Sequence, residues 1–210
     1  MTATALLLET CRGVKPSACP HAAPLPPDWV AALVRLAATT PDPDALADLM
    51  RPIRRHEQFR LAVCACPNGC VRPQVADLGL VAARSVTVDA PVCTGCGLCA
   101  ETCPDAAIAM RGGKAVIDPA ACLGCGQCAA VCPVGAVTAG PAGFRAFLGG
   151  RLGRHPRLGL EVGRILSPGD ALALAERATA AYVRHMRPGR RFGDILSPDG
   201  LPGLPAWVLS

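Results

Sequence analysis

The chain has 210 residues, 51% of them hydrophobic, which is enough to bury an ordinary core and argues against disorder. Aromatics reach only 3% and none falls between Arg60 and Gly143, so something other than large rings must hold the middle of the chain together. The net charge of +5 is concentrated in ten arginines from Arg145 to Arg191, opposed there only by Glu161, Asp170 and Glu176. With no nucleic-acid motif or interleaved aromatics beside them, these read as a solvated basic surface or as forks for a carboxylate-rich ligand or an acidic partner.

In chain order, Ala3 to Leu8 is a short apolar run with strand character, lacking the positive n-region of a signal peptide. Trp29, Leu33 and Leu36 recur at helical spacing across Pro27 to Ala38, with proline near the start, where its missing N–H costs nothing. Asp44 to Met50 suggests a further short helix. Phe59 to Cys64 alternates and reads as a strand, as does Gly79 to Val88. After the middle of the chain, Phe144 to Leu148 and Leu158 to Val162 are strand-like. Ser167-Pro168-Gly169-Asp170 then opens the strongest helix, Ala171 to about His185: serine is a good N-cap, proline fits N1 and Asp170 complements the first turn. Arg184 and His185 favour its end and Pro188-Gly189 stops it. No stretch approaches the roughly 18 apolar residues of a membrane span.

Thirteen cysteines could imply a disulfide scaffold, but the count is odd and most sit in C-x-x-C runs too close to staple a fold. A reducing cytoplasm is the consistent compartment, and there clustered thiolates read as metal ligands. Residues 89–110 and 118–139 are an internal repeat at an offset of 29 residues (Cys122 minus Cys93), with four cysteines, two glycines and the Cys-Pro pair coinciding. We expect residues 89–140 to form one duplicated unit inserted into an outer domain made of 1–88 and 141–210, with mixed helices and strands outside.

Each half of the repeat is spaced C-x2-C-x2-C-x3-C-P. A tight loop of this kind aims three thiolates at one face of a cluster, while the fourth cysteine points away. The pattern resembles bacterial two-cluster ferredoxins, in which the fourth cysteine serves the other cluster. The resemblance implies Cys93, Cys96, Cys99 and Cys132 on one 4Fe-4S cluster, and Cys122, Cys125, Cys128 and Cys103 on a second. Zinc favours paired C-x2-C units with a longer gap rather than triplets. Gly95, Gly97, Gly124 and Gly126 permit close backbone approach, so that amides can point at cluster sulfurs and tune the potential. Asp105 and Glu101 read as surface charges.

Five cysteines remain: Cys11, Cys19, Cys64, Cys66 and Cys70. The stretch CPNGCVRPQVADLGLVA, residues 66–82, resembles the siroheme-domain signature of sulfite and nitrite reductases. There a C-x3-C pair, here Cys66 and Cys70, is followed six residues later by an acidic, an apolar, a small and another apolar residue, here Asp77-Leu78-Gly79-Leu80. FLGGRLGRHPRLG, residues 147–159, is similar to the family's later Gly-Gly-Arg segment, and a ferredoxin insert after the C-x3-C pair is similar to dissimilatory and anaerobic sulfite reductase subunits. The implied fold is α+β: half of a nitrite/sulfite reductase-like domain carrying an inserted ferredoxin-like domain.

In that family the last cysteine of C-x3-C bridges a 4Fe-4S cluster to siroheme iron. Carried over, the resemblance implies a third cluster on Cys11, Cys19, Cys66 and Cys70, with Cys70 the siroheme bridge and Arg151 and Arg154 candidates for the siroheme carboxylates. The chain departs from the family where Cys11 and Cys19 are separated by seven residues rather than five. Cys64 is therefore an alternative ligand to Cys11, or else an inert strand thiol. Outside the repeat only 158 residues remain (210 − 52), which matches one half of a two-half reductase, and the family's substrate-gripping basic residues have no counterpart. Three functions stand: an electron-transfer module or subunit working with a partner that supplies the missing half, a siroheme-dependent sulfite or nitrite reductase complete only as an oligomer, and a redox sensor built on a labile third cluster.

Overall fold

The computed structural model describes residues 6–15, 19–40, 56–186 and 189–196. The helix expected over Asp44 to Met50, the first residues of the expected N-terminal strand and Pro188 lie outside them. Strand β1 is Leu6–Thr10, helix α1 is Pro27–Thr39, β2 is Phe59–Cys64 and β3 is Leu78–Ala83. Within the repeat follow β4 (Val86–Val88), α2 (Leu98–Thr102), β5 (Ile108–Arg111), β6 (Lys114–Ile117), α3 (Gln127–Ala130) and β7 (Val137–Ala139). The chain then continues with β8 (Gly143–Leu148), β9 (Leu160–Glu161), α4 (Pro168–His185) and α5 (Phe192–Leu196).

Five strands form one sheet in the order β1-β2-β3-β8-β9, the first three parallel and the last two antiparallel to their neighbours. Leu78, Leu80 and Ala82 of β3 join Leu61, Val63, Phe144, Ala146 and Leu148 in a core closed by α1 and α4. The scarce aromatics gather here. Trp29 stacks on Phe144 with centroids 4.3 Å apart and donates its indole N–H to Pro168 O at 2.6 Å, joining α1 to the start of α4. Phe59 meets Tyr182 and Phe192, and the Tyr182 hydroxyl donates to Glu57 O at 2.6 Å. Each polar tip thus has a partner while the ring is buried. Ser167 caps α4 as the sequence suggests, its Oγ accepting from Asp170 N at 3.1 Å.

The strand expected from Gly79 to Val88 is two strands. β3 ends at Ala83, and after Arg84-Ser85 the chain enters β4, which leaves the main sheet to pair antiparallel with β7. All six residues of β3 are buried, so its second face is covered as well. A Cβ on Gly79 would run into the Pro73 backbone carbonyl of the turn Pro73–Val75, and one on Gly124 would stand 2.6 Å from Arg84 O. Those two contacts close the far side of β3, one from the turn after Cys70 and one from the repeat.

The repeat is structural as well as sequential. Asp89 N donates to Ala136 O at 2.7 Å and Asp118 N to Ala107 O at 2.8 Å; Cys93 N reaches Asp89 O and Cys122 N reaches Asp118 O, both at 3.0 Å. These bonds sit at equivalent positions of the two halves and swap them across each other. The small core contains Cys93, Cys99, Cys128, Ile108, Ala115, Ala136 and Val137 and no aromatic ring. Gly112 and Gly113, both at positive φ, turn β5 into β6 as a two-residue hairpin.

Candidate metal centres

Gly95, Gly97, Gly124 and Gly126 all lie in the left-handed region, with φ of 77°, 83°, 73° and 78°. That conformation wraps each C-x2-C-x2-C loop, whose third cysteine already lies in the first turn of α2 or α3, with Gly97 and Gly126 as their N-caps. Cys103, Cys122, Cys125 and Cys128 line one cavity together with Gly124 and Gly126. The fourth cysteine of the first run thus faces the three-cysteine loop of the second. On the other side Cys93 lies within electrostatic reach of Cys132, and Cys99 of Cys93 and Cys96.

Backbone amides already point at several of these sulfurs. Ala107 N donates to Cys103 Sγ and Val137 N to Cys132 Sγ, both at 3.4 Å. The amides of Ala115 and Gly95, and then the charge of Lys114, hold the Cys93 thiol below its usual range, and the Val137 amide leads a set that does so for Cys132. Burial pushes Cys99 and Cys128 up instead. Thiolates that accept amides and are partly desolvated suit a cluster whose own positive iron supplies the missing charge. Among the described residues no three His, Cys, Asp or Glu side chains converge on a single-ion site.

The remaining cysteines also come together. Cys11 N bonds Val63 O at 3.0 Å and Ala23 N bonds Ala65 O at 2.8 Å, tying the N-terminal loop to the end of β2. Gly13 allows this approach, since a Cβ there would stand 2.9 Å from Ala22 Cβ and 3.3 Å from both Ala65 Cβ and Cys19 Cβ. Cys66 is consequently within electrostatic reach of Cys11, Cys19 and Cys70. Cys11 Sγ accepts from Ala65 N at 3.3 Å. Cys64 is fully buried, in hydrogen-bonding contact with Cys11 and near Cys70, and burial first, then these thiol neighbours, push it up to about 12. The His21 amide, followed by Arg12, holds Cys19 down. Cys70 is exposed.

Arg151 pairs its backbone with Arg157 and gives Nη1 to Asp194 Oδ1 at 2.9 Å and Nε to His155 O at 2.8 Å. Arg154 is exposed, as are Glu101 and Asp105. The Gly-Gly-Arg segment is fixed to the turn after Cys70: Gly149 N bonds Asp77 O at 2.8 Å, and a Cβ on Gly150 would stand 2.6 Å from Gln74 O. The sequence did not single out Lys114, whose Nζ donates to Cys93 O at 2.6 Å; the Gly112-Gly113 turn signal just before it would have placed it beside the first loop. Nor did it single out Arg84, whose N–H bonds Gly124 O at 2.8 Å.

Residues 92–136 match the family model of the 4Fe-4S dicluster domain. The coenzyme F420-dependent sulfite reductase of Methanocaldococcus jannaschii is 37% identical over 134 residues, covering 64% of this chain and 22% of that protein. One of the subunits of the anaerobic sulfite reductase of Salmonella typhimurium is 35% identical over 74 residues, covering 34% of this chain and 21% of its own length. Over these stretches the chain is similar to sulfite reductases. It spans about a fifth of the length of these relatives. The fold of this reductase-like chain extends the likeness: the crystal structure of dissimilatory sulfite reductase I superposes with a TM-score of 0.54 at 18% identity, covering 94% of this chain and 50% of that one. The α+β architecture expected from the sequence is thus that of a reductase-type domain, and the dicluster match lies within the duplicated unit. Among the described residues no helix is long and apolar enough to cross a membrane.

Proposed function

We propose that the chain is an iron-sulfur electron-transfer module of a sulfite reductase-like system, working in a reducing cytoplasm with a partner that supplies the other reductase half. Residues 89–140 act as the ferredoxin domain within an outer domain formed by 1–88 and 141–210. Two 4Fe-4S clusters are held, one by Cys93, Cys96, Cys99 and Cys132, the other by Cys122, Cys125, Cys128 and Cys103. A third is held by Cys66, Cys70, Cys19 and Cys11, with Cys64 beside Cys11 as the alternative ligand. The observation that carries the reading is the cavity shared by Cys103 with Cys122, Cys125 and Cys128, because the exchange of the fourth cysteine is the distinguishing feature of a two-cluster ferredoxin.

The clusters supply one-electron chemistry, and this chain's own residues hold, insulate and connect them. Cys64 lies opposite Val81 in the β2–β3 ladder. Arg84, three residues further along, bonds the second-cluster loop at Gly124. At about 3.3 Å per residue the three residues from Val81 to Arg84 span about 10 Å of chain between the strand position beside Cys64 and the one that holds Gly124.

A second reading, siroheme-dependent sulfite or nitrite reduction, is favoured by the exposure of Cys70, which leaves its sulfur able to bridge to a group outside the chain's core. Arg151 and Arg154 would then serve siroheme carboxylates, although Arg151 already holds Asp194. Anaerobic purification with iron and sulfide determination and a visible spectrum tests both readings. About twelve iron atoms per chain support three clusters and about eight leave only the ferredoxin pair. Intense visible bands that survive cluster bleaching would replace the first reading with the second, and iron well below eight after reconstitution would overturn both.

A further inference from the structure

The outer flank of the main sheet is irregular where it faces the repeat. Phe147 pairs with Glu161 and Leu148 with Leu160, and Val162 N bonds Ala146 O at 3.0 Å, but the next link along β8 joins Phe144 to Leu166, with both amides bonded at 2.8 Å. Gly163, Arg164 and Ile165 therefore stand opposite Arg145 alone, and Gly163 enters this bulge at a φ of 81°. Bulges re-aim side chains and are frequent beside functional sites. The neighbouring strand breaks at the same level. β3 ends at Ala83, and Arg84 gives its N–H to Gly124 O at 2.8 Å.

Both irregularities open onto one cavity of about 590 Å³, whose third side is Cys122, Leu123 and Gly124 of the second cluster loop. Sites for small ligands span roughly 300–1,000 Å³. The charge of this cavity is uneven: Arg84, Arg145 and Arg164 line it against one carboxylate, Glu161. Arg145 and Glu161 neutralise each other, with Nε on Oε1 at 2.6 Å and Nη2 on Oε2 at 2.8 Å. The Arg84 guanidinium has no ion pair among the described residues. Arg164 only approaches Asp170 at 4.0 Å, both side chains being more than half exposed, a pairing worth little. Two cations are thus left over beside an apolar wall of Val86, Ile117, Leu123 and Ile165.

We infer that this cavity binds a small organic anion, an apolar body carrying a carboxylate or a phosphate, and that its occupation lowers the potential of the second cluster. Arg84 and Arg164 take the charged group, since guanidinium forks match both head groups, and the aliphatic wall takes the body. The sheet order puts the third site at β1 and β2 and the cavity at β8 and β9, so the ligand does not compete with the third site. Cys122 lines the cavity and lies within electrostatic reach of Arg145, so a charge bound there is felt at the cluster. A unit negative charge on the order of 10 Å away, at an effective dielectric of about 20, favours the oxidised cluster about tenfold. By linkage the reduced chain binds the anion about tenfold more weakly. This coupling rests on the electron-transfer reading above; the binding does not.

The test uses the full chain with its clusters reconstituted, titrated anaerobically in a calorimeter with naphthyl phosphate, naphthoate and the uncharged naphthol. At least one of the two anions is expected to bind with a Kd of roughly 1 mM or tighter, and the tighter one names the head group. Naphthol is expected to bind at least about tenfold more weakly. Arg84→Gln and Arg164→Gln are each expected to weaken the anion about tenfold, the scale of a hydrogen bond to a charged group, while Arg111→Gln, at the β5–β6 hairpin, leaves it unchanged. In an EPR-monitored redox titration, a saturating anion is expected to lower the second cluster's potential by about 59 mV, the equivalent of tenfold for one electron, and to leave the first unmoved. The inference is overturned if neither anion binds, if naphthol binds as tightly, if both arginine variants bind as the unaltered chain does, if Arg111→Gln loses as much, or if the second cluster's potential stays put. Should the arginine variants fail to fold, Glu161→Gln, which releases Arg145, decides: tighter binding supports the site, and unchanged or weaker binding removes it. Intact EPR signals and iron content in any of these failures leave the electron-transfer reading standing, whereas absent cluster signals in the unaltered chain remove that reading and leave the calorimetry to judge the site.

Discussion

Gly124→Ala and Gly97→Ala separate the packing of the second cluster loop against the sheet from the loop's own backbone needs. Both glycines have positive φ, +73° and +83°, so an alanine at either costs about 1–2 kcal/mol in the left-handed region. Gly97 has nothing within 4 Å of its Cβ position, and its variant is expected to stop there. At Gly124 the added methyl would stand 2.6 Å from Arg84 O, 3.1 Å from Arg84 N and 3.2 Å from Ala83 Cβ. None of these is a flexible side-chain end, so the loop must move away from β3, adding about 2 kcal/mol of overpacking and straining the bond from Arg84 N to Gly124 O. A difference of about 2 kcal/mol corresponds to about 30-fold in the population of the opened loop. Where opening and closing are fast, attack on the open form follows that population. The assay is anaerobic iron removal by a chelator, followed through the visible absorbance of the clusters. Gly124→Ala is expected to lose one cluster about 30-fold faster than Gly97→Ala. Equal rates for the two would refute the proposition that the second loop is held by the end of β3.

Removing Lys114's charge with Lys114→Gln is expected to lower the potential of the first cluster. A unit charge about 8 Å away at an effective dielectric of about 20 is worth about 2 kcal/mol, on the order of 90 mV for one electron, read in an EPR-monitored redox titration. Asp77 is almost fully enclosed and burial raises its pKa from 3.8 to about 6, against the opposing bond from Arg60 N. Its folded-state pKa is the higher one, so the folded chain holds the proton longer and loses stability as pH rises from about 4 through about 6, by about 3 kcal/mol. Asp77→Asn is expected to remove that slope in denaturation midpoints measured from about pH 4 to about pH 7, and an unchanged slope would count against it. Tyr182→Phe removes the buried hydroxyl that donates to Glu57 O and is expected to cost about 0.5–1.5 kcal/mol in the same measurement. Cys70→Ser is expected to lower iron from about twelve to about eight per chain without disturbing the two ferredoxin signals.

The sequence made the local elements legible where one signal decided them. Ser167-Pro168 set the start of α4, and the alternation of Phe59 to Cys64 matched β2 residue for residue. The repeat at 89–140 was legible because the ligand spacing of a cluster is a local property. It was the contacts between distant residues that the sequence left unread. Gly79 to Val88 looks like a single strand, because nothing local announces that Arg84 must turn out of the sheet to bond Gly124. Lys114 looks like a surface lysine until the Gly112-Gly113 hairpin brings it onto Cys93. Cys64 could be read either as a ligand or as a buried thiol. The fold makes it buried and puts it against Cys11 at once, a combination that strand alternation alone does not anticipate.

The central claim is that two cross-ligated 4Fe-4S clusters sit in the repeat, and the most direct measurement is EPR of the dithionite-reduced chain in four single variants. If the fourth cysteines are exchanged, Cys132→Ser will perturb the same signal as Cys96→Ser, and Cys103→Ser the same signal as Cys125→Ser. If instead Cys132→Ser altered the signal of Cys125→Ser, each run would hold its own cluster and the account would be wrong.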